Sequence, residues 1–266
     1  MVEISNEAQA RDYLRSVDDQ TRSMLASRIA LRVISNHDLM NVGYGLQMTA
    51  KVEMSISGRA PGRDELKDLR TLASFRAALC AAVFSKAKQN DRQAVIEAAE
   101  QATKVASFDL FSSSPATQSA AFASAAVDKQ DAALECLLLA CQAADPSSMV
   151  AAINSDAKNT PVLGPIWPDA AVPPTIRKSH DDILRYLEVP LFRWWRQWYD
   201  QMWHGTFTDW DFALEVAKID WDAPEGESVW DKGPAAVAAR IEELERKRSG
   251  EPHFDETRVK DRIKEL

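Results

Sequence analysis

The residues best suited to chemistry are the acids near the end of the chain. Between Asp200 and Asp231 there are nine carboxylates, at 200, 209, 211, 215, 220, 222, 225, 227 and 231, against a single cation, Lys218. Four of them form two copies of a short pattern, Asp209-Trp210-Asp211 and Asp220-Trp221-Asp222. Paired carboxylates could supply hard oxygen ligands to Ca²⁺ or Mg²⁺, or act as acid and base on a glycosidic bond. The spacing fails the calcium-loop pattern, and a linear order does not give the separation an acid-base pair needs. Pro224 stands where a calcium-loop ligand belongs, and Gly226 falls one place late. Helix caps and a solvated face explain the same residues. Where they act, the expectation is an acidic patch that meets a basic partner.

Aromatic residues concentrate in the same third of the chain. All eight tryptophans lie between Trp167 and Trp230. At helical spacing, Leu191, Trp194, Trp195, Trp198, Tyr199, Met202 and Trp203 fall on one half of a wheel, with Arg193, Arg196, Gln197, Asp200 and Gln201 on the other. Trp, Tyr and Arg dominate binding hot spots, but a core uses aromatics for the area they bury. A half-wheel is wider than one neighbouring helix needs, so its edge can serve a partner. The candidate partner-binding residues are Arg193, Trp194, Arg196, Asp200, Trp203, Asp209, Asp211, Asp220 and Asp222.

Other constellations are weaker. Arg59 and Arg63 flank the expected start of a helix near Asp64, a weak anion-binding candidate. The Gly-Lys-Ser/Thr ending of a phosphate loop is absent there, and Asp64 and Glu65 would repel a phosphate. His37, His180, His204 and His253 form no i,i+3 or i,i+4 pair. Cys136 and Cys141 fall about 140° apart on a helix, so zinc ligands would have to converge from distant segments. Ser179-His180-Asp181 spells a triad only in letters, because neighbours on one turn point in different directions; capping explains them better. No catalytic residue, metal ligand or cofactor is assigned.

The elements that must position these residues read as helices. Ser5 is expected to cap a helix to about Leu14, and Ser16 with Asp19 to open one from Val17 to about Ser35 with one broad buried face. From Arg63 to Leu163 there is no glycine, and 25 alanines lie between 73 and 157; alanine is the best helix former. Helices are predicted near 64–89, 91–106, 115–128, 130–144 and 147–157, the third and fifth opened by Ser114-Pro115 and Asp145-Pro146. Later helices follow Ser179/Asp182, run over 191–203 to Gly205, start at Thr208/Asp211, and start at Gly233-Pro234. Alternation over Leu46–Ile56 suggests at most one short strand, with no second run to pair it.

The fold class is therefore mainly α: a multi-helix array with an Ala-rich middle and a Trp-rich C-terminal subdomain packed onto it. The organisation expected is 1–158 for the Ala-rich helical region, 159–175 for a connector with five prolines, 176–250 for the Trp-rich acidic subdomain, and 251–266 for a charged helix or tail.

One stretch resembles a known group. Trp195-x2-Trp198-Tyr199-Asp200, then Gly205, Trp210, Ile219 and Trp230-x2-Gly233-Pro234-x2-Val237-x3-Ile241, is similar to the ends of uncharacterised, alanine-rich, all-helical alphaproteobacterial proteins. Those carry an Ala-Arg-x-Ala-Leu-Arg-Val stretch near the start, and Ser27-Arg28-Ile29-Ala30-Leu31-Arg32-Val33 looks similar. The resemblance covers about the last 50 residues well and the rest loosely. It implies a bacterial, all-helical protein and carries no activity, cofactor or site residue.

The totals agree with a folded chain of 266 residues, 45% apolar and 27% charged, long enough to bury a sizeable core. Net charge is −8, all of it from 200–231, since the remaining 31 cations and 31 anions balance. Nothing in these totals favours the basic surface a general nucleic-acid binder needs, and no nucleic acid is expected as a partner. The most apolar run, Ala132–Ala144, is 13 residues, short of the ~20 that cross a membrane. Three cysteines among Ala, Val and Leu, and no basic, apolar leader at Met1–Ala8, point to the cytoplasm. The function expected is a non-enzymatic bacterial interaction module, an accessory or regulatory subunit or an immunity/antitoxin-type partner, binding a basic protein or a second copy. The alternatives are a hydrolase or nuclease-like enzyme with carboxylates from 200–231 converging on a metal, and a small-molecule sensor.

Overall fold

The computed structural model describes residues 3–34, 63–108, 115–158, 164–168, 172–221 and 228–250. The expected strand near 46–56, Arg59, Asp222 and the tail 251–266 lie outside the described residues. Among those described there are eleven α-helices and no strand. They are α1 (Glu7–Ser16), α2 (Asp19–Val33), α3 (Arg63–Phe84), α4 (Arg92–Phe108), α5 (Pro115–Ala125), α6 (Gln130–Ala143), α7 (Pro146–Lys158), α8 (Pro174–Tyr186), α9 (Arg193–His204), α10 (Trp210–Ala217) and α11 (Pro234–Ser249). No helix among them is long and apolar enough to cross a membrane.

Helix α2 is the axis of the molecule. Every residue from Arg22 to Val33 is buried, not one face as expected, because α3, α5 and α6 pack around it. Small residues allow this. Ser23 and Ser27 donate across to the carbonyls of Ala81 and Ala78 on α3, each at 2.8 Å. Ser119 does the same to Cys136 at 3.1 Å, and Ser124 to Ala99 at 2.8 Å. A serine reaches the backbone of a neighbouring helix only where the two backbones nearly touch. Cys80 and Cys136, fully buried here, behave as small apolar residues; burial pushes their thiols up, to about 11 and about 12.

The Trp-rich end packs onto this array through α3. Phe75 meets the rings of Trp195, Trp198 and Tyr199 at centroid distances of 6.1, 6.1 and 5.3 Å. The buried Arg76 guanidinium lies 4.2 Å over Trp230, and Lys218 pairs with Asp91 at 2.8 Å. Buried apolar residues form one continuous cluster from Ile4 to Ile241.

Several expected caps shift by one or two residues. Asn6, not Ser5, caps α1 by accepting from the Gln9 N–H. Asp18, not Ser16, caps α2, and Asp209, not Thr208, caps α10. Ser179 caps nothing: α8 already begins at Pro174, which leaves Ser179 buried in mid-helix. Proline at the first turn opens the helix without needing its N–H, and the chain turns helical six residues early. Pro190 divides α8 from α9 through a short 3-10 turn, Pro190–Phe192.

Candidate functional site

Two places bring polar groups against the apolar body, one buried within it and one open to solvent. The first joins the two halves. Arg28 and Arg32 are one turn apart on α2, with side chains 3% and 0% exposed. Both grip Asp156 of α7: Arg28 Nη2 at 2.8 Å from one oxygen, Arg32 Nη2 at 2.5 Å from the other. Other donors of both guanidinium groups hold the Pro-rich connector. Arg28 donates to the carbonyls of Gly164 and Pro165 at 2.8 and 2.5 Å. Arg32 donates to that of Ile166 at 2.8 and 2.6 Å. Burial lowers the proton affinity of Arg32 and Asp156 opposes that shift. The connector then meets the end of α9, where the Ile166 N–H donates to the Trp203 carbonyl at 3.0 Å. Gly205 terminates α9 at φ +68, and a Cβ there would lie 2.3 Å from the Gly164 carbonyl carbon. Glycine is required twice over, for the left-handed turn and for the backbone that crosses it.

The second place is a groove of about 470 Å³ between α9, the start of α10 and the end of α11. Trp194, Trp198, Phe207 and Phe212 form its apolar wall, with Gln197, Gln201, Asp209, Glu245, Arg248 and Ser249 around it. The Trp194 and Trp198 rings are parallel within 7° at 6.2 Å, and Phe212 meets Trp194 edge-on at 6.0 Å. Asp209 holds the N-terminus of α10 by accepting from the Phe212 N–H at 3.3 Å. It also accepts from Arg248 Nη1 with both oxygens, at 2.9 and 3.0 Å, while Arg248 lies 5.4 Å over the Phe212 ring. Glu245 accepts from Arg193. Trp198 is 1% exposed, and its indole N–H finds no acceptor among the described residues. The volume lies within the range of sites for small organic ligands, and aromatic walls with a few polar groups are their usual lining.

Of the residues singled out in the sequence, Trp194 and Asp209 line this groove and Arg193 braces its rim. The others lie elsewhere. Arg196 ties α9 to the end of α8, donating to the Leu184 carbonyl at 3.2 Å and to Glu188 at 3.5 Å. Trp203 stacks on the buried His180 at 3.9 Å. Asp200 flanks His204, whose Nδ1 lies 2.8 Å from the Asp200 carbonyl and 3.4 Å from its carboxylate. Asp211 is exposed in the first turn of α10. Asp220, at φ +69, accepts from the backbone N–H groups of Val229 and Trp230 and so closes a loop. Arg63 opens α3, its side chain outside the description, as are Arg59 and Asp222.

Asp200, Asp209 and Asp220 therefore have separate partners. No group of three potential metal ligands occurs among the described residues. Phe207, Phe212, Gln197, Gln201, Glu245 and Arg248 were not singled out, because they come from three segments that sequence spacing cannot relate. Arg28 and Arg32 did carry a signal: two arginines four apart inside the apolar run Ile29, Leu31, Val33 require buried partners. No protein-family model, curated protein or solved structure matches the chain.

Proposed function

We propose that the protein is a non-enzymatic binding module that takes a small organic ligand into the groove between α9, α10 and α11. The observation that carries this reading is the groove itself: an aromatic concavity of about 470 Å³ supported from behind by a rigid ring cluster. A regulatory role, with occupancy read out by a further protein, would join this to the small-molecule sensor named above as an alternative. The free cysteines accord with the cytoplasmic setting we propose, and the resemblance quoted above with a bacterial source. A second reading, docking of a basic protein or a second copy, is favoured by Trp221, 49% exposed in the acidic run.

Titration of the full chain with benzamide, followed by ¹H–¹⁵N NMR, tests the groove. Saturable shifts of groove resonances are expected, and Ser249→Phe, which sets a ring at the groove mouth, is expected to abolish them. Shifts that do not saturate, or that survive the blocking substitution, overturn the reading.

A further inference from the structure

We infer that His180 is an acid-sensitive latch between α8 and the last turn of α9: the neutral ring holds Trp203 in place, and protonation drives the ring out and frees that turn from the Pro-rich connector. Three observations point to it. The first is the stack. The His180 and Trp203 rings lie 3.9 Å apart at 24°, and Tyr199, one turn earlier on α9, lies 5.4 Å from His180. His180 is 6% exposed, so the end of α9 packs on an imidazole that water scarcely reaches.

The second is that a second proton has no place. A neutral imidazole donates from one nitrogen only, whereas the imidazolium needs acceptors for two. Nδ1 lies 3.7 Å from the exposed Asp181 carboxylate, but Nε2 is buried with no partner among the described residues. A charged N–H left there has nothing to bond, which is costly. The titratable groups that face the ring are Asp181 on α8 and Tyr199, Asp200 and His204 on α9. Burial outweighs the two acids, and His204 adds to it, so the His180 pKa falls from 6.5 to about 4. An indole face attracts a cation, which makes an imidazolium that stays stacked on Trp203 the competing outcome.

The third is what Trp203 holds. Its backbone carbonyl accepts from the Ile166 N–H at 3.0 Å, and the connector beyond that bond is gripped by Arg28 and Arg32. The connector is thus fixed to the array on one side and to the last turn of α9 on the other, where the His180 ring packs. An open form, with the ring in water, takes its proton near 6.5, against about 4 when closed. The ratio of open to closed therefore rises by up to about tenfold for each pH unit lost between those values and is constant outside them.

The test is an NMR titration of the full chain from about pH 7 to pH 4. The His180 ring, the Trp203 indole N–H and the Ile166 amide are expected to shift with one shared midpoint. The amides of Ser27 and Leu31, in the buried part of α2, are expected to keep their positions. His180→Phe keeps a ring against Trp203 and removes the proton, so it is expected to hold the Trp203 and Ile166 signals still over the same range. Exchange protection of the Ile166 amide in the natural protein gives a second readout that does not require the variant to fold. It is expected to fall by up to about tenfold per pH unit through the window, with little change on adding about 1 M urea, because a local opening exposes little surface. A His180 ring that titrates while Trp203 and Ile166 stay still overturns the latch, since the charged ring then remains stacked. Movement of Trp203 and Ile166 in His180→Phe overturns it by assigning the change to Asp200 or His204. Loss of the α2 signals at the same midpoint overturns it by making the acid transition global.

Discussion

The Ala-rich array and the Trp-rich end solve the same packing problem in opposite ways. In the array, helices come close enough for Ser23, Ser27, Ser119 and Ser124 to bond across to a neighbour's backbone. Alanine and serine fill little space, so backbones supply the surface and the fit is tight. At the other end, indoles and phenyls hold the helices apart, with centroids about 5–6 Å from one another. Rings are rigid and do not tile a curved interface, so space is left at the edge of the cluster. That space is the groove. Small residues make a scaffold that locks, and large ones make a wall against which something can be held.

The joint between the two regions is where this contrast breaks most easily. Asp156→Ala leaves two buried guanidinium groups without their carboxylate and loosens the connector they hold. A loss of about 3–5 kcal/mol is expected, read as a lower urea midpoint. A loss under about 1 kcal/mol would mean that the connector and array are held by packing alone.

The next effect belongs to the Trp-rich end. His180 is buried against Trp203 and Tyr199, with Asp181, Asp200 and His204 nearby. Burial lowers its pKa from 6.5 to about 4 against the pull of Asp200 and Asp181. In the unfolded chain the ring takes a proton near 6.5; in the folded chain it stays neutral until about 4. Stability therefore falls as pH drops through that window, by on the order of 3 kcal/mol, and this contribution levels off below it. Denaturant melts of the natural protein and His180→Phe from pH 7 to 4 check this. The variant is expected to lose the part of the slope between 6.5 and 4, and an unchanged slope would assign the acid sensitivity to carboxylates instead.

The smallest effect probes the array. Ala78→Leu forces a branched side chain into a fully buried position of α3, whose carbonyl Ser27 of α2 reaches. Crowding is expected to cost about 1–3 kcal/mol, whereas a core with slack would gain from the added apolar surface. A thermal melt distinguishes the two signs.

Much of the fold was legible in the chain. Pro115, Pro146 and Pro234 mark helix starts in the sequence and open α5, α7 and α11 in the structure, because proline at the first turn is a local backbone rule that needs no tertiary partner. Glycine past His204 was equally readable. Caps were less so, since Asn6 and Ser5, or Asp209 and Thr208, compete within one or two residues and the winner depends on how the helix docks. Burial of the ring face of α9 was expected, and Trp194, Trp195, Trp198, Tyr199 and Met202 are all buried.

The site was legible only in part. Trp194 and Asp209 were named from spacing, but as members of one acidic, aromatic surface. Asp200, Asp211 and Asp220 sit in that same run yet serve separate local tasks, because neighbours in sequence diverge once helices and turns set their directions. Composition and periodicity by themselves determined that the chain is helical, that alanine dominates its middle and that indoles close its end, since those are properties of single segments. Only the tertiary structure decided which acids meet arginines, that two arginines of α2 clasp Asp156 and the connector, and that three separate segments enclose a groove. Such contacts depend on distances between elements, which a linear order of residues does not contain.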